Sequence, residues 1–341
     1  MTEKKARIGI NGFGRIGRLV LRAILSGNYP NLDVVAINSR VSDPKTVGHM
    51  FMYDSTYGTF EQEVIILDDS LKIKESSISL ISYSSPNLIP WSNYDIDIVL
   101  ECTGKFTDYK NANAHISNGA KKVIISAPGK EEDITIVMGV NETAYNPDKH
   151  NIISNASCTT NCLAPLVKVL DYSFGISEGM MTTIHAYTND QQVLDKSHKD
   201  LRRARAAANN IIPTSTGAAK SIGKVIPALN NKIHGMAFRV PTPTVSVIDF
   251  VASINSNVDA NSINDAYKEA SLTNMKDILD ISMEPLVSTD YKQNPYSCVI
   301  DGLSTMTLES NMVKVVGWYD NEWGYALRTA DLAEYIYSQI L

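Results

Sequence analysis

Cysteine is scarce in this chain, and long apolar runs are missing from it. Four cysteines occur among 341 residues, at positions 102, 158, 162 and 298. That number is far too small for a secreted domain held together by disulfides. No stretch approaches the roughly 18 consecutive apolar residues that span a bilayer. The composition therefore predicts a globular chain with reduced thiols and no membrane partner.

An excess of positive charge is also missing. The formal net charge is −6 and no long basic tract occurs, so nothing in the charge pattern requires a nucleic-acid partner. The polar start, residues 1–7, runs directly into an alternating strand pattern instead of an apolar secretory segment. We therefore expect no export signal and a cytoplasmic location. The length of the chain predicts two domains.

The first informative motif is a glycine-rich turn between a strand and a helix. Residues 6–17 read ARIGINGFGRIG, and an apolar pattern at helical spacing follows. Gly12 permits a tight turn, Gly14 lets the backbone approach a pyrophosphate, and Gly17 lets the helix pack closely on the strand. The motif predicts a Rossmann dinucleotide site, with an ordinary strand–helix turn as the alternative.

Further strand ends extend this prediction. Thr103 and Gly104 follow a buried strand, at the place where open parallel sheets bind ligands. The second strand ends at Asn38, about 20 residues beyond the glycines, where an acidic residue usually binds the adenosine ribose. Ser39 and Arg40 stand there instead.

This pair bears on the choice of cofactor. A serine and an arginine remove the repulsion that a carboxylate exerts on a 2′-phosphate, and they offer donors to it. NADP is therefore favoured, while NAD use and dual use remain open. In the alternative, Arg40 is a solvated loop charge and Asp43 takes the acidic role.

The segment NASCTTNC, residues 155–162, carries two of the four thiols. An apolar face from Leu163 to Leu170 predicts a helix that begins near Cys158 and contains Cys162 one turn further on. A helix N-terminus favours a thiolate and offers N–H donors to an oxyanion. We predict that Cys158 is a nucleophile with a lowered pKa and that Cys162 is buried. Matching ligands for zinc are missing, so no metal is expected.

A base and cationic groups follow further along the chain. His185 ends a strand-like run, although a lone histidine is more often structural than catalytic. Arg203 lies in a loop rich in cations, and Arg239 lies inside a strand. Arginines and hydroxyl groups near a thiol are what a phosphorylated substrate requires.

From Ile8 to its last helix, the chain resembles the phosphorylating glyceraldehyde-3-phosphate dehydrogenases. The resemblance rests on INGFGRIGR, ECTGKFTD, SNASCTTNCLAPL, HAYTNDQ, KDLRRARAA, PTSTGAAK, RVPTP and WYDNEWGY. It implies an α/β fold with an N-terminal Rossmann domain over residues 1–157 and an α/β catalytic domain with a large mixed sheet over 158–320. It further implies a C-terminal helix over 321–341 that returns to the cofactor domain, and a homotetramer.

The same resemblance implies a reaction and its residues. The reaction is the reversible phosphorylating oxidation of glyceraldehyde 3-phosphate to 1,3-bisphosphoglycerate in glycolysis and gluconeogenesis, through a thiohemiacetal and a thioester on Cys158, with His185 as the base. The residues implied for inorganic phosphate are Ser157, Thr159, Arg203, Thr216 and Gly217. Those implied for the substrate's phosphate are Thr188, Asp190 and Arg239. The further contacts implied for the cofactor are Arg15, Ile16, Ser126, Ser197, Asn321 and Tyr325.

Departures from the family pattern sharpen the cofactor prediction. Most NAD-using relatives carry an aspartate at Ser39 and commonly a Leu-Pro pair at Lys196-Ser197, a segment that approaches the adenosine ribose from a neighbouring subunit. Both departures favour NADP. At residues 83–86, where many relatives have a basic residue that contacts the adenosine half, this chain has none, so this segment does not indicate how the adenosine half is bound.

Two alternatives stay beside the leading interpretation. One is erythrose-4-phosphate dehydrogenase, against which the HAYTND segment and the double phosphate site argue. The other is a non-catalytic binding protein, against which Cys158, His185 and the acidic net charge argue.

Overall fold

The computed structural model describes residues 4–41, 43–309 and 311–340. They form two compact units. Unit 1 comprises the chain up to Ile136, Thr143–Ala156 and the chain from Ala326 onward, and unit 2 comprises Val137–Glu142 and Ser157–Tyr325. The division into domains at 1–157, 158–320 and 321–341 stays a prediction, and its ends at 1–3 and 341 lie outside the described residues.

Strands and α-helices alternate along most of the chain. The strands are β1 (Ala6–Asn11), β2 (Leu32–Asn38), β3 (Tyr53–Asp54), β4 (Gly58–Thr59), β5 (Val64–Ile66), β6 (Ser70–Ile73), β7 (Ser76–Ile81), β8 (Ile98–Glu101), β9 (Lys122–Ile125), β10 (Ile134–Thr135), β11 (Ile152–Ser154), β12 (Ile176–Ala186), β13 (Ile212–Thr214), β14 (Ile233–Val240), β15 (Ser246–Ile254), β16 (Leu279–Ser282), β17 (Cys298–Asp301), β18 (Met306–Leu308) and β19 (Met312–Tyr319). The helices are α1 (Arg15–Ala23), α2 (Pro44–Met52), α3 (Tyr109–Ser117), α4 (Cys158–Phe174), α5 (Ala218–Val225), α6 (Ala260–Leu272) and α7 (Trp323–Ser338).

Unit 1 is built on one sheet with the order β10-β11-β9-β8-β1-β2-β7-β6-β5. The pairs from β10 to β7 are parallel, and β7, β6 and β5 form an antiparallel meander. β8 and β9 are buried along their whole length, as expected for parallel strands covered on both faces. Helices α1 and α3 supply crossover connections, which parallel neighbours require.

Two glycines fix the turn between β1 and α1. Gly12 has φ +97°, in the left-handed region that favours glycine. A Cβ on Gly17 would lie 2.2 Å from the carbonyl oxygen of Gly12, so only a residue without a side chain lets α1 pack this closely on the turn. The helix therefore begins directly above the carboxyl end of β1.

Unit 2 contains a mixed sheet with the order β13-β14-β12-β15-β19-β17-β16, and β18 pairs with β19. β12 runs parallel to β14, so that His185 is the register partner of Arg239, and it runs antiparallel to β15. Helix α4 packs against β12, β15, β17 and β19, and this contact buries its apolar side, including Cys162. The predicted α/β class, with a parallel dinucleotide-type sheet and a large mixed sheet, is confirmed.

None of the helices within the described ranges is long and apolar enough to cross a membrane.

Candidate active site

A cavity of about 580 Å³ opens at the carboxyl ends of the strands of unit 1. It lies where β1 has β8 on one side and β2 on the other, and open α/β sheets bind ligands at such a reversal of strand order. The residues that line it are Asn11, Gly12, Phe13, Gly14, Asn38, Ser39, Arg40, Val41, Tyr83, Ser84, Ser85, Cys102, Thr103, Lys105 and Phe106.

The residues around this cavity fit a dinucleotide. Gly14 is the N-cap of α1 and provides no side-chain cap, so amide groups of the first turn are open to an anion. A Cβ on Gly14 would find no atom of the described residues within 4 Å. Packing within the protein therefore does not require a glycine here, whereas a pyrophosphate close to the backbone would. Arg40 and Lys105 add two cations to the lining.

Asp43 is engaged as the N-cap of α2. Its carboxylate caps α2, accepting from the backbone N–H groups of Lys45 and Thr46 at 3.3 and 3.0 Å and from the Thr46 hydroxyl at 2.6 Å. These bonds, above all that from the Thr46 hydroxyl, lower the pKa of Asp43. Ser39 lines the cavity, and its hydroxyl accepts from the Val41 N–H at 3.2 Å. The acid offered as the alternative to Ser39 is thus engaged as a helix cap.

The structure places other predicted cofactor residues outside this lining. In unit 1, these are Arg15, Ile16, Gly17, Gly104 and Ser126. Arg15 pairs with Asp54 at 2.5 Å. Ser197, Asn321 and Tyr325 belong to unit 2, with Ser197 in an exposed loop. Their part in cofactor binding stays a prediction.

Sequence reasoning missed several members of the lining. Asn11, Phe13, Val41, Lys105 and Phe106 all lie at or just beyond strand ends. The signal that could have found them is position, because any residue that follows a parallel strand borders the ligand edge of the sheet.

In unit 2, Cys158 is the first residue of α4 and lies beside the imidazole of His185. The Ser157 hydroxyl caps the helix by accepting from the Thr160 N–H at 3.0 Å. The Sγ atom of Cys158 is 3.5 Å from Nε2 of His185, which β12 carries close to its end. A nucleophile and a base within hydrogen-bond reach are the arrangement that thiol catalysis requires.

The partners of His185 determine which ring nitrogen is free. Nδ1 lies 2.7 Å from the Ala186 carbonyl oxygen, and Nη1 of Arg239 lies 2.9 Å from that oxygen and 3.0 Å from the Thr188 hydroxyl. The two hydrogens of Nη1 are satisfied by these two oxygens, so we assign the ring hydrogen to Nδ1. Nε2 then faces Cys158 as an acceptor. Burial, followed by the charge of Arg239, lowers the pKa of His185 to about 3, which keeps the ring neutral at pH 7.

The expectation of a lowered thiol pKa at Cys158 is wrong. Burial raises the pKa of Cys158 above its ordinary value, and the charge of Arg239 and hydrogen bonding with Thr159 offset only part of that rise. Loss of hydration disfavours a thiolate more strongly here than the cationic surroundings favour it. The pair at rest is therefore a neutral thiol and a neutral imidazole.

Two arginines form separate cationic positions in unit 2. Arg239 contacts His185 and Thr188. Its Nε atom is buried and has no hydrogen-bond partner among the described residues, which points to an anion as a missing partner. Arg203 pairs with Asp190 and donates from Nε to the Thr214 hydroxyl at 2.9 Å. The Thr188 hydroxyl donates to the same Asp190 carboxylate, so one hydrogen-bonded chain joins both arginines.

The other predicted phosphate ligands lie at two helix starts. Gly217 is the N-cap of α5, and the Thr216 hydroxyl accepts from the Ala218 N–H at 3.2 Å. At the start of α4, the buried Thr159 directs its hydroxyl to Tyr319 at 3.0 Å. Phosphate binding by Ser157, Thr159, Thr216 and Gly217 stays a prediction.

Two supporting residues were missed from the sequence. The Tyr319 hydroxyl joins Thr159 on α4 to Thr183 on β12, at 3.0 and 2.9 Å, and its ring meets His185 edge to face. Ser246 accepts from the Ala186 N–H at 3.1 Å and donates to Asn321 Oδ1 at 2.9 Å. Tyr319 stands inside the WYDNEWGY motif, which was an available signal, whereas no motif marks Ser246.

The class of protein that this fold and chemistry define is an oxidoreductase that uses a nicotinamide dinucleotide. Comparison with known families agrees with it. The family described as "Glyceraldehyde 3-phosphate dehydrogenase, NAD binding domain" matches residues 6–109, and "Glyceraldehyde 3-phosphate dehydrogenase, C-terminal domain" matches residues 157–321.

Curated relatives carry the same name. Glyceraldehyde-3-phosphate dehydrogenase 2 of Bacillus subtilis (strain 168) is 54% identical over 332 residues, which are 97% of this chain and 97% of that protein. Glyceraldehyde-3-phosphate dehydrogenase of Geobacillus stearothermophilus is 54% identical over 333 residues, 98% of either chain. The chain belongs to the glyceraldehyde-3-phosphate dehydrogenase family, and the resemblance inferred from the motifs is confirmed.

Proposed function

We propose that this protein catalyses the reversible, phosphate-dependent oxidation of glyceraldehyde 3-phosphate to 1,3-bisphosphoglycerate, as a step of glycolysis and gluconeogenesis. The observation that carries the proposal is the contact of 3.5 Å between Cys158 Sγ and His185 Nε2, beside the guanidinium of Arg239. The names of the relatives support this reaction. They favour neither erythrose-4-phosphate dehydrogenase nor a non-catalytic binding protein.

Cys158 and His185 begin the reaction as a neutral pair. His185 Nε2 takes the thiol proton while Sγ attacks the aldehyde carbon, giving a thiohemiacetal. We assign stabilisation of the developing oxyanion to the N–H groups at the start of α4. Arg239 lies beside the ring and disfavours a long-lived imidazolium, so the proton is readily passed on to the substrate oxygen.

The oxidation step needs His185 a second time. Nε2 accepts the hydroxyl proton of the thiohemiacetal as the carbonyl re-forms, which leaves a thioester on Cys158. A bound nicotinamide dinucleotide supplies the hydride acceptor in this step. Inorganic phosphate then attacks the thioester carbon, and Cys158 leaves as a thiolate that recovers its proton from His185.

The two arginines divide the anionic groups between them. Arg239 and Thr188, next to the catalytic pair, are assigned to the phosphate of the substrate, with Asp190 orienting them. Arg203, with the helix starts at Ser157, Thr159, Thr216 and Gly217, is assigned to inorganic phosphate. A guanidinium binds a phosphate through two parallel hydrogen bonds, which lysine cannot do.

An assay with and without inorganic phosphate tests this function. With glyceraldehyde 3-phosphate and phosphate, we expect sustained reduction of the cofactor; without phosphate, we expect a burst of about one equivalent per site as the thioester accumulates. Erythrose 4-phosphate should be oxidised more slowly. Turnover that ignores phosphate, or a preference for erythrose 4-phosphate, would refute the proposal. Complete inactivity of the folded, cofactor-bound protein would favour a binding role.

The preferred cofactor is proposed to be NADP, with NAD also accepted. Ser39 lines the cavity and the nearby carboxylate of Asp43 caps α2, so no acid is directed at a 2′-phosphate from either position. Arg40, exposed beside Ser39, offers a charge-assisted hydrogen bond. Separate titrations with NAD and NADP test the preference. Binding of NAD alone would contradict it.

A homotetramer in the cytoplasm completes the proposal. Residues 187–208 form a segment of unit 2 with strongly exposed apolar side chains, including Val193, Leu194 and Leu201 at 86, 77 and 82% exposure. Clustered exposed apolar side chains mark interaction surfaces. Ser197 lies in the same segment, where a neighbouring copy would bring it to a cofactor. Light scattering should give four times the chain mass, and a monomer would contradict the assembly.

A further inference from the structure

A chain of buried polar side chains runs behind the cofactor cavity. The indole N–H of Trp91 donates to Nδ1 of His115 at 2.8 Å, and Nε2 of His115 lies 3.1 Å from the Glu101 carboxylate. On the other side of Glu101, Asn11 donates to the same carboxylate oxygen at 2.5 Å, and Asn38 donates to Asn11 at 2.7 Å. All five residues are buried.

The direction of each hydrogen bond in this chain is determined. Because the Trp91 indole can only donate, Nδ1 of His115 is an acceptor. A neutral ring with an unprotonated Nδ1 carries its hydrogen on Nε2, which donates to Glu101. The hydrogen bonds of Asn38 also determine which way its amide points. Its Oδ1 accepts from the Tyr83 N–H at 2.8 Å, and its Nδ2 donates to Asn11. The hydrogen bonds of Trp91 and His115 on one side, and those from Asn38 to Asn11 and from Asn11 to Glu101 on the other, therefore both run toward Glu101.

Glu101 thereby connects several walls of the cavity. One oxygen accepts from Asn11 and His115, and the other accepts from the Thr103 N–H at 2.8 Å and from the Thr103 hydroxyl. Through Asn11 and Asn38, the same carboxylate determines the positions of the ends of β1 and β2 and of the backbone at Tyr83. Asn11, Asn38, Tyr83 and Thr103 all line the cavity.

The donors around Glu101 require a carboxylate at this position. Burial of a charge is costly unless hydrogen bonds compensate for it, and here four donors of Asn11, His115 and Thr103 do so. An apolar residue of the same size would leave these donors without an acceptor. A glutamine would also be a poor replacement, because its NH₂ group would face either Asn11 and His115 or the Thr103 N–H, all of which are donors. Only a carboxylate, both of whose oxygens accept hydrogen bonds, holds the lining residues in one arrangement.

We propose that Glu101 is a positioning residue for the cofactor, oriented by His115 and Trp91, and that it pre-organises the cavity lining before the dinucleotide binds. The inference rests on the proposed function only in taking this cavity as the cofactor site. It predicts that breaking the network weakens cofactor binding and leaves the chemical step on Cys158 unchanged.

The test compares two replacements of His115 in the full-length protein. His115→Leu removes the donor to Glu101, whereas in His115→Gln the amide nitrogen can still donate to Glu101 while its oxygen accepts from Trp91. We expect the Leu variant to bind NAD and NADP about tenfold more weakly, as for loss of one buried charge-assisted hydrogen bond. Its kcat at saturating cofactor should stay at the wild-type value, and the Gln variant should recover most of the affinity.

Glu101→Gln provides a second measurement if His115→Leu does not fold. Glutamine has the same shape as glutamate, so we expect this variant to fold. Its KM for the cofactor should rise about tenfold or more, with kcat unchanged. Circular dichroism and thermal unfolding without cofactor establish that each variant is folded before titration.

Gly14→Val separates failure of this inference from failure of the cavity assignment. A Cβ at Gly14 meets no described atom within 4 Å and Gly14 lines the cavity, so we expect this variant to fold and to place its methyl groups in the cavity. If Gly14→Val weakens binding while folded His115→Leu and Glu101→Gln bind normally, the positioning role is wrong. If Gly14→Val also binds normally, the cavity is not the cofactor site. Equal loss of affinity in the Leu and Gln variants of His115 would likewise overturn the assigned hydrogen-bond direction.

Discussion

The cofactor cavity of unit 1 and the thiol site of unit 2 are built on different physical principles. The cavity is shaped mainly by backbone, glycines and neutral side chains, with Arg40 and Lys105 as the charged residues of its lining and the carboxylate of Glu101 buried behind it. The thiol site relies on ionisable side chains whose pKa values shift through burial and mutual charge. The cofactor cavity should therefore be sensitive to changes in side-chain size, and the thiol site to changes in the proton affinity or charge of its side chains.

The largest effect is expected at the thiol. Cys158→Ser should lower the oxidation rate by at least about 10⁴-fold, because a serine hydroxyl has no comparable nucleophilicity beside a neutral imidazole. Cofactor affinity measured by titration should stay nearly unchanged, since unit 1 alone forms the described cavity. A large loss of cofactor affinity would contradict the view that the cofactor cavity and the thiol site can be altered independently.

Labelling with a limiting thiol reagent checks the same residue without mutation. Burial raises the pKa of Cys102 to about 12 and that of Cys162 well above its ordinary value, whereas Arg239 offsets part of the rise at Cys158. Mass spectrometry should find Cys158 modified first. Earlier modification of any other cysteine would remove the basis for its assignment.

His185 comes second in size of effect. His185→Asn keeps a hydrogen-bonding side chain but removes the base, and the rate should fall by roughly 10²- to 10⁴-fold. The measurement is single-turnover acylation of Cys158. A variant with wild-type acylation and the wild-type pH–rate profile would exclude His185 as the base.

The same substitution has a consequence for stability in acid. The folded-state pKa of His185 lies near 3 against an ordinary 6.5, so between these values the unfolded chain binds a proton that the folded chain excludes. This group therefore favours the folded state fully above pH 6.5, and the protein loses that contribution as the pH falls toward 3. Denaturant unfolding over this window should show a shallower decline for His185→Asn than for the wild type.

A change of size in unit 1 should act on stability. Gly17→Ala places a Cβ about 2.2 Å from the Gly12 carbonyl oxygen, and the resulting overpacking should lower the free energy of unfolding by about 1–3 kcal/mol. Gly14→Ala is the matched control, since that position is open and should change stability by less than about 0.5 kcal/mol. Equal unfolding curves for the two variants would show that the turn is not size-limited.

The smallest expected effect concerns the choice of cofactor. Ser39→Asp should weaken NADP binding by about tenfold and leave NAD binding equal or improved, because a carboxylate repels the 2′-phosphate. Titration of each cofactor measures it, with Asp43→Asn as a control that alters the acid already used as a helix cap. An unchanged ratio of the two affinities would dismiss the role of Ser39.

Much of the fold and many of the site residues could be predicted from the sequence, because the motifs that indicate them are local. The strand, glycine turn and helix at residues 6–23, and the helix that begins at Cys158, follow from periodicity and spacing over a few residues. The pairing of His185 with Arg239 could not be derived, since it depends on the parallel register of β12 and β14, strands about 50 residues apart. Family resemblance identified both residues without giving their contact.

The error about the pKa of Cys158 has a similar origin. A helix N-terminus is visible in a sequence, whereas the degree of burial at that terminus is not. Three-dimensional packing removes the solvent around the thiol, and this loss of hydration reverses the sign of the shift expected from the helix alone. The network around Glu101 was invisible for the same reason, because it joins residues from separate strands and loops.

The membership of residues 326–340 in unit 1 has a consequence for synthesis on the ribosome. Tyr29 donates to Asp331 at 2.8 Å, Asn31 donates to Glu334 at 2.6 Å, and Tyr337 donates to the Lys4 carbonyl at 2.6 Å. These contacts join residues that are 302, 303 and 333 positions apart in the chain. Unit 1 therefore cannot acquire all its native contacts until residues 326–340 have been synthesised, although domains usually fold as they emerge. A nascent chain stalled before Ala326 should remain open to proteases and chaperones within its N-terminal third.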